Sequence, residues 1–130
     1  MRLHPAILVG LGGAIGTIAR YLLGLAVPGL VGIFAINLSG GLALGWLLTA
    51  LKTRGPDEGR RASVRLFAGT GVFGGYTTYS TFAFGTAGLV TGGDTALGIA
   101  YAIASVVLGT ACAVVGILLG RRFPAEGEAK

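Results

Sequence analysis

Long apolar runs separated by short polar breaks set the architecture of this chain. Ile7–Val27, interrupted only by Arg20, and then Leu30–Leu51, Leu66–Gly93 and Thr95–Gly120 carry almost no charge. A bilayer core about 30 Å thick needs about 20 helical residues, and every run is long enough. The pattern predicts an all-α membrane protein with helices at about 6–27, 30–51, 64–91 and 95–120, in one transmembrane domain spanning residues 1–130. The first run is too long for a cleaved signal peptide and lacks a polar cleavage region. Pro28-Gly29 and Gly93-Asp94 mark tight turns between runs.

The third run is longer than a crossing needs, and its centre is rich in glycine and hydroxyls: Gly71-Val-Phe-Gly74-Gly75-Tyr76-Thr77-Thr78-Tyr79-Ser80-Thr81-Phe82. Backbone left unpaired in hydrocarbon is costly, so irregular chain at membrane depth persists only where protein or a watery cavity covers it. The third helix is therefore expected to be broken mid-membrane. Broken helices present carbonyls and amides to ions, which points to ion handling.

Composition agrees with this picture: 53% of residues are hydrophobic and only 12% charged, far from the soluble average. The net charge of +5 would suit nucleic acid, but its placement argues otherwise. Apart from Arg20, every Lys and Arg lies before the first run, between the second and third, or after the fourth. With four crossings those places share one side, and the positive-inside rule makes that side, with both termini, cytoplasmic. No nucleic-acid partner is expected. The Arg-rich, Ala- and Gly-rich composition fits a GC-rich bacterial genome, and hence a bacterial plasma membrane.

Glycines recur four apart in every run: Gly12 and Gly16, Gly41 and Gly45, Gly71 and Gly75, Gly116 and Gly120. Small residues at that spacing let membrane helices approach closely. Four short helices cannot surround an aqueous pore, so part of this packing is expected against another subunit.

A few polar residues interrupt the apolar runs. Asn37 sits mid-run, where an amide must either bond another helix or face a cavity. Arg20 is an intramembrane charge that reaches the interface or binds carbonyls as a structural group. Tyr101 and Ser105, four apart, share a helix face. With Asn37, Ser80 and Thr81 they supply neutral donors suited to a small, strongly hydrated anion. The ring edges of Tyr79 and Phe82 are electropositive and also suit an anion. Gly74 and Thr77 flank the break, where freed carbonyls suit a small hard cation.

Enzyme chemistry finds no support. Gly69-x-Gly71-x-x-Gly74 mimics a dinucleotide fingerprint, with Asp94 twenty residues on, but the strand and α/β setting it requires are missing. No His, Cys, Asp and Glu cluster exists, and Cys112 stands alone.

Gly74-Gly75-Tyr-Thr77-Thr78-Tyr79-Ser80-Thr81-Phe82 resembles the GG-x-TTFSTF signature of the fluoride channels, Fluc, also called CrcB. Gly16-x-x-x-Arg20-Tyr21 resembles their first-helix motif, Gly32-x-x-x-x-Asn37-x-x-Gly40 their second, and Tyr101-x-x-x-Ser105 their fourth. The resemblance implies an antiparallel (inverted) dimer with two pores, passing fluoride out of the cytoplasm passively to relieve its toxicity. It implies a structural, non-transported sodium ion held by the Gly74 and Thr77 carbonyls. It assigns the pore amide to Asn37, ring edges to Tyr79 and Phe82, and further lining to Ser80, Thr81, Tyr101 and Ser105. Two positions depart from the pattern. Tyr79 replaces a phenylalanine, and Ile33 replaces a threonine that would add a donor.

The charge asymmetry fixes one orientation of insertion, so the inverted partner in the lipid bilayer is expected to be a homologous chain of opposite orientation, otherwise the chain itself. An alternative is a non-conducting or partly degenerate subunit of a heterodimeric channel. A small multidrug-type exporter would need a membrane-embedded carboxylate, and no run contains one.

Overall fold

A computed structural model describes residues 4–122, and these are helical with no strand. Arg2 and Lys130, counted in the charge asymmetry, lie outside the described residues. The first helix, α1 (Pro5–Ala26), starts where His4 caps it: the His4 Nδ1 accepts the Ala6 amide at 3.3 Å, and Pro5 occupies the first turn. A tight turn follows, with Gly29 at φ 81°, a conformation glycine adopts without strain. Helix α2 (Leu30–Thr53) then runs back, with Lys52 in its last turn beside the negative end of the helix dipole.

The third run is composite. Helix α3 (Gly59–Val64) passes into a π-helical segment, Arg65–Phe73, and then into a single α-turn, α4 (Gly74–Tyr76). The helix starts before the uncharged run because Arg60 and Arg61 are themselves helical. The chain turns at Thr77–Tyr79 and resumes as α5 (Ser80–Thr91). At the end of α5 the Asp94 amide reaches the Leu89 carbonyl (2.9 Å) and the Gly93 amide the Val90 carbonyl (3.3 Å), with Gly93 at φ 99°. That is a Schellman closure, and it requires a left-handed residue at Gly93. Helix α6 (Thr95–Arg121) completes the fold. Three helices, α1, α2 and α6, are each long and apolar enough to cross a membrane. The remaining apolar run, the third, is divided between the π-helical segment, α4 and α5.

Two glycine seams hold the helices together. Along α1, a Cβ on Gly12 would overlap the Phe67 carbonyl and one on Gly16 the Val72 carbonyl; a Cβ on Gly75 would overlap the Gly13 carbonyl. Along α2 and α6, a Cβ on Gly45 would overlap the Ala113 carbonyl and one on Gly116 the Leu42 carbonyl. Backbones this close gain dispersion that larger side chains would forfeit.

The core is thin. Among the described residues Ile36 and Ala50 are the buried apolar side chains, and Thr78 is the buried polar one. Large apolar residues point outward instead, with Phe84 83% and Val31 71% exposed. Water would penalise so much apolar surface, and helices apolar enough to cross a membrane carry much of it. The fold is that of a multi-pass membrane protein.

Candidate functional site

The site is built where α4 gives way to α5. Tyr76 is the last helical residue, and Thr77 turns extended at φ −75°, ψ 156°. Thr77 closes the helix behind it: its amide (3.0 Å) and its hydroxyl (2.8 Å) both donate to the Phe73 carbonyl. In an unbroken helix the Thr78 amide would donate to the Gly74 carbonyl. It donates instead to Asn37 Oδ1 at 2.9 Å, while Asn37 Nδ2 donates to the Thr78 carbonyl at 2.9 Å. One amide side chain from α2 thus satisfies both backbone groups of Thr78. The Asn37 amide carries two N–H groups, so one remains for a further acceptor.

Thr78 also starts α5. Its hydroxyl accepts the Thr81 amide at 3.2 Å and lies 3.0 Å from the Thr81 hydroxyl and 3.3 Å from that of Ser80. A threonine oxygen on a first-turn amide does the work of an N-cap. On the near side, Tyr76 Oη and Ser39 Oγ lie 3.0 Å apart, and Ser39 donates back to the Ala35 carbonyl at 2.7 Å. Arg20 Nη1 reaches the Thr77 carbonyl at 3.5 Å. The half-buried Arg20 guanidinium therefore binds a carbonyl at the turn, one of its two expected fates.

Two cavities flank the turn and share Thr78 as a wall. One, of about 340 Å³, gathers Asn37, Thr77, Tyr79, Phe82 and Ser105. It contains no charged side chain. The other, of about 390 Å³, is lined by Thr17, Arg20, Tyr21, Ile33 and Thr81. Its single charge is positive. Neither cavity has a carboxylate in its wall.

A string of tilted rings runs beside the first cavity. Centroids are 5.9 Å apart for Tyr79–Phe82, 5.7 Å for Phe82–Tyr101 and 6.3 Å for Phe34–Tyr101. Tyr79 projects from the protein and is 80% exposed. On α6, Tyr101 Oη and Ser105 Oγ are buried without a hydrogen-bond partner among the described residues. An unpaired hydroxyl in an apolar setting is costly, and the two lie near enough to interact with each other.

Of the residues singled out from sequence, Asn37, Thr77, Tyr79, Phe82 and Ser105 meet in one cavity, and Arg20 and Thr81 in the other. Ser80 meets them only through Thr78, and Tyr101 through the Phe82 ring. Gly74 lies on neither wall, and the space where its Cβ would stand is open. Sequence reasoning passed over Thr78 and Thr17. The signal for Thr78 was present: a hydroxyl directly before a restarting helix is a capping position.

Comparison with known proteins identifies this architecture. The family model described as CrcB-like protein, Camphor Resistance (CrcB), matches residues 7–117. The chain is similar to fluoride-specific ion channel FluC 2 of Leifsonia xyli subsp. xyli (strain CTCB07), 53% identical over 118 residues that cover 88% of this chain and 81% of the relative. It is similar to fluoride-specific ion channel FluC 1 of Cutibacterium acnes (strain DSM 16379 / KPA171202), 43% identical over 115 residues that cover 85% and 80%. It is also similar to fluoride-specific ion channel FluC of Caulobacter sp. (strain K31), 38% identical over 123 residues that cover 90% and 94%. With residues 7–117 inside the family model and relatives matched over most of their own length, the chain belongs to the CrcB family, a family of fluoride ion channels and not of enzymes.

Proposed function

We propose that this chain is one half of a passive, fluoride-specific pathway through the bacterial plasma membrane, exporting fluoride from the cytoplasm and so limiting its toxicity. The observation that carries the reading is the turn at Thr77–Tyr79, stitched to α2 by Asn37 and flanked by cavities without a carboxylate. The turn lies at mid-bilayer depth in this reading, near the centre of its apolar run. An anion meets the positive Arg20 on one side, then the hydroxyls of Thr78, Ser80 and Thr81. Beyond the turn it meets the remaining Asn37 N–H, the Tyr79 and Phe82 ring edges, and the unpartnered hydroxyls of Tyr101 and Ser105. Neutral donors hold fluoride firmly enough to replace part of its water and weakly enough to release it. With the cytoplasm negative, the membrane potential favours exit by about 2.3 kcal/mol per 100 mV.

Completion of the path requires a second, inverted subunit. The thin core and the 80% exposed Tyr79 support a partner that receives this ring. The Gly74 carbonyl loses its helical partner because the Thr78 amide turns to Asn37, and the Thr77 carbonyl accepts the Arg20 guanidinium at 3.5 Å. Both are hard oxygen donors that would hold a sodium ion shared with the partner's copies once Arg20 yields its carbonyl. Sodium would supply fixed structural charge at the junction. The alternative of a small multidrug-type exporter is disfavoured because neither cavity presents a carboxylate.

The partner is a homologous chain of opposite orientation, because the basic residues sit on one side and hold both termini in the cytoplasm. A second reading, a subunit that completes a partner's pore without conducting through its own, is favoured by Ile33, an apolar side chain in the Arg20 cavity. Reconstitution separates the two. Liposomes holding both chains should release fluoride, and Asn37→Ala in this chain should abolish that release. Full flux from the pair despite that change would assign conduction to the partner alone. Robust flux from this chain purified by itself would overturn the heterodimer.

A further inference from the structure

The loop between α2 and α3 encloses a cavity of about 400 Å³ that the proposed ion path does not use. Lys52, Arg61 and Arg65 line its polar side with Asp57, and Leu48 and Leu51 line its apolar side. Arg61 and Arg65 are four apart in a continuous helical run, and so are Leu48 and Lys52 on α2. The two arginines are held in place. Arg61 Nε donates to the Pro56 carbonyl at 2.8 Å, and its guanidinium lies over Gly55, where an added Cβ would stand 3.1 Å from Nη2. Arg65 Nε pairs with Asp57 Oδ2 at 2.8 Å. Among the described residues the terminal nitrogens of Arg61 and the Lys52 ammonium bond no acceptor. Asp57 offsets one of the three positive charges and leaves two.

We propose that this cavity binds the headgroup of an anionic phospholipid. Two observations select a lipid over a free anion. The cations sit where the apolar runs end, at the level of lipid headgroups. The wall then continues into Leu51 and the 41% exposed Leu48, a surface that suits an acyl chain and offers nothing to inorganic phosphate. Arg61 contacts the phosphate through its two terminal nitrogens, Lys52 adds a point charge, and Arg65 stays with Asp57 at the rim. Basic pockets between helices at the membrane edge recognise lipid headgroups in this way.

The test uses the intact chain, co-purified with its partner where one is required, in mixed phosphatidylglycerol and phosphatidylcholine, with bound lipid counted by native mass spectrometry. Wild type should retain phosphatidylglycerol preferentially. The double change Lys52→Gln with Arg61→Gln should weaken that retention by about thirtyfold, about fivefold for each basic residue at the membrane surface. The double change Arg121→Gln with Arg122→Gln removes equal charge from residues that do not line the cavity and should leave retention near wild type. Millimolar inorganic phosphate should not displace the lipid. Equal retention of both lipids, equal loss in both double variants, or displacement by phosphate would each overturn the proposal. Elution of the variants at the wild-type position on gel filtration separates lost binding from lost folding.

Discussion

The α2–α6 seam and the turn between α4 and α5 solve the same problem in opposite ways. Both bring backbone close to backbone through small residues. Along α2 and α6 the helices are unbroken, so every internal amide and carbonyl is satisfied within its own helix and glycine only sets the distance. At the turn the backbone gives up that self-sufficiency. Asn37 from another helix takes over both groups of Thr78, and the Thr78 hydroxyl takes over the start of α5. The difference teaches where chemistry can occur. A seam of satisfied helices has only surface to offer, whereas a turn maintained by side chains leaves N–H, O–H and C=O groups facing cavities.

The largest effect should follow from breaking the borrowed bonds. Asn37→Ala leaves the Thr78 amide and carbonyl unpaired, at about 1–3 kcal/mol each. Fluoride efflux should vanish and thermal stability in detergent should fall clearly. Wild-type efflux would show that Asn37 serves neither turn nor path. Next comes Gly116→Ala, whose new Cβ overlaps the Leu42 carbonyl and approaches the Trp46 amide to 2.9 Å. It should destabilise by about 1–3 kcal/mol through overpacking, measured as a lower melting temperature, with flux per folded protein unchanged. Such a split between the two variants is what the comparison demands.

Thr78→Ala should cost about 0.5–2 kcal/mol, the usual loss for an N-cap oxygen, and reduce flux. Thr78→Ser, which keeps the oxygen, should recover most of both. Recovery by valine but not serine would make Thr78 a packing residue. The smallest effect is expected from Tyr79→Phe. The exposed ring keeps its edge and loses only a hydroxyl, so stability should stay within about 0.5 kcal/mol of wild type, as for ordinary surface changes. Fluoride flux should be equal or higher.

Much of this contrast was legible in the residues. Uncharged length gave the apolar helices, and the pairs Gly12/Gly16, Gly41/Gly45, Gly71/Gly75 and Gly116/Gly120 fall on the close approaches, Gly41 on the loosest of them. The Gly-Gly-x-Thr-Thr run marked the turn. What stayed hidden was the division of labour. Asn37 read equally as an interhelical bond or as a cavity donor, because only geometry reveals that one amide can do both. Thr78 was overshadowed by Thr77, since two adjacent threonines carry the same local signal and only the backbone turn separates their roles. The π-helical stretch Arg65–Phe73 was also illegible. Its apolar spacing does not distinguish i→i+5 from i→i+4 bonding, and α1 supplies the tertiary contact.

Selective passage of fluoride through the stitched turn can be measured directly. Liposomes carrying this chain with its inverted homologue, loaded with equal fluoride and chloride and triggered by a potassium ionophore, allow both anions to be followed by electrode. Fluoride should leave rapidly while chloride remains inside, and Asn37→Ala should abolish the fluoride signal. Release of both anions at similar rates, or fluoride release that survives the loss of Asn37, would contradict it.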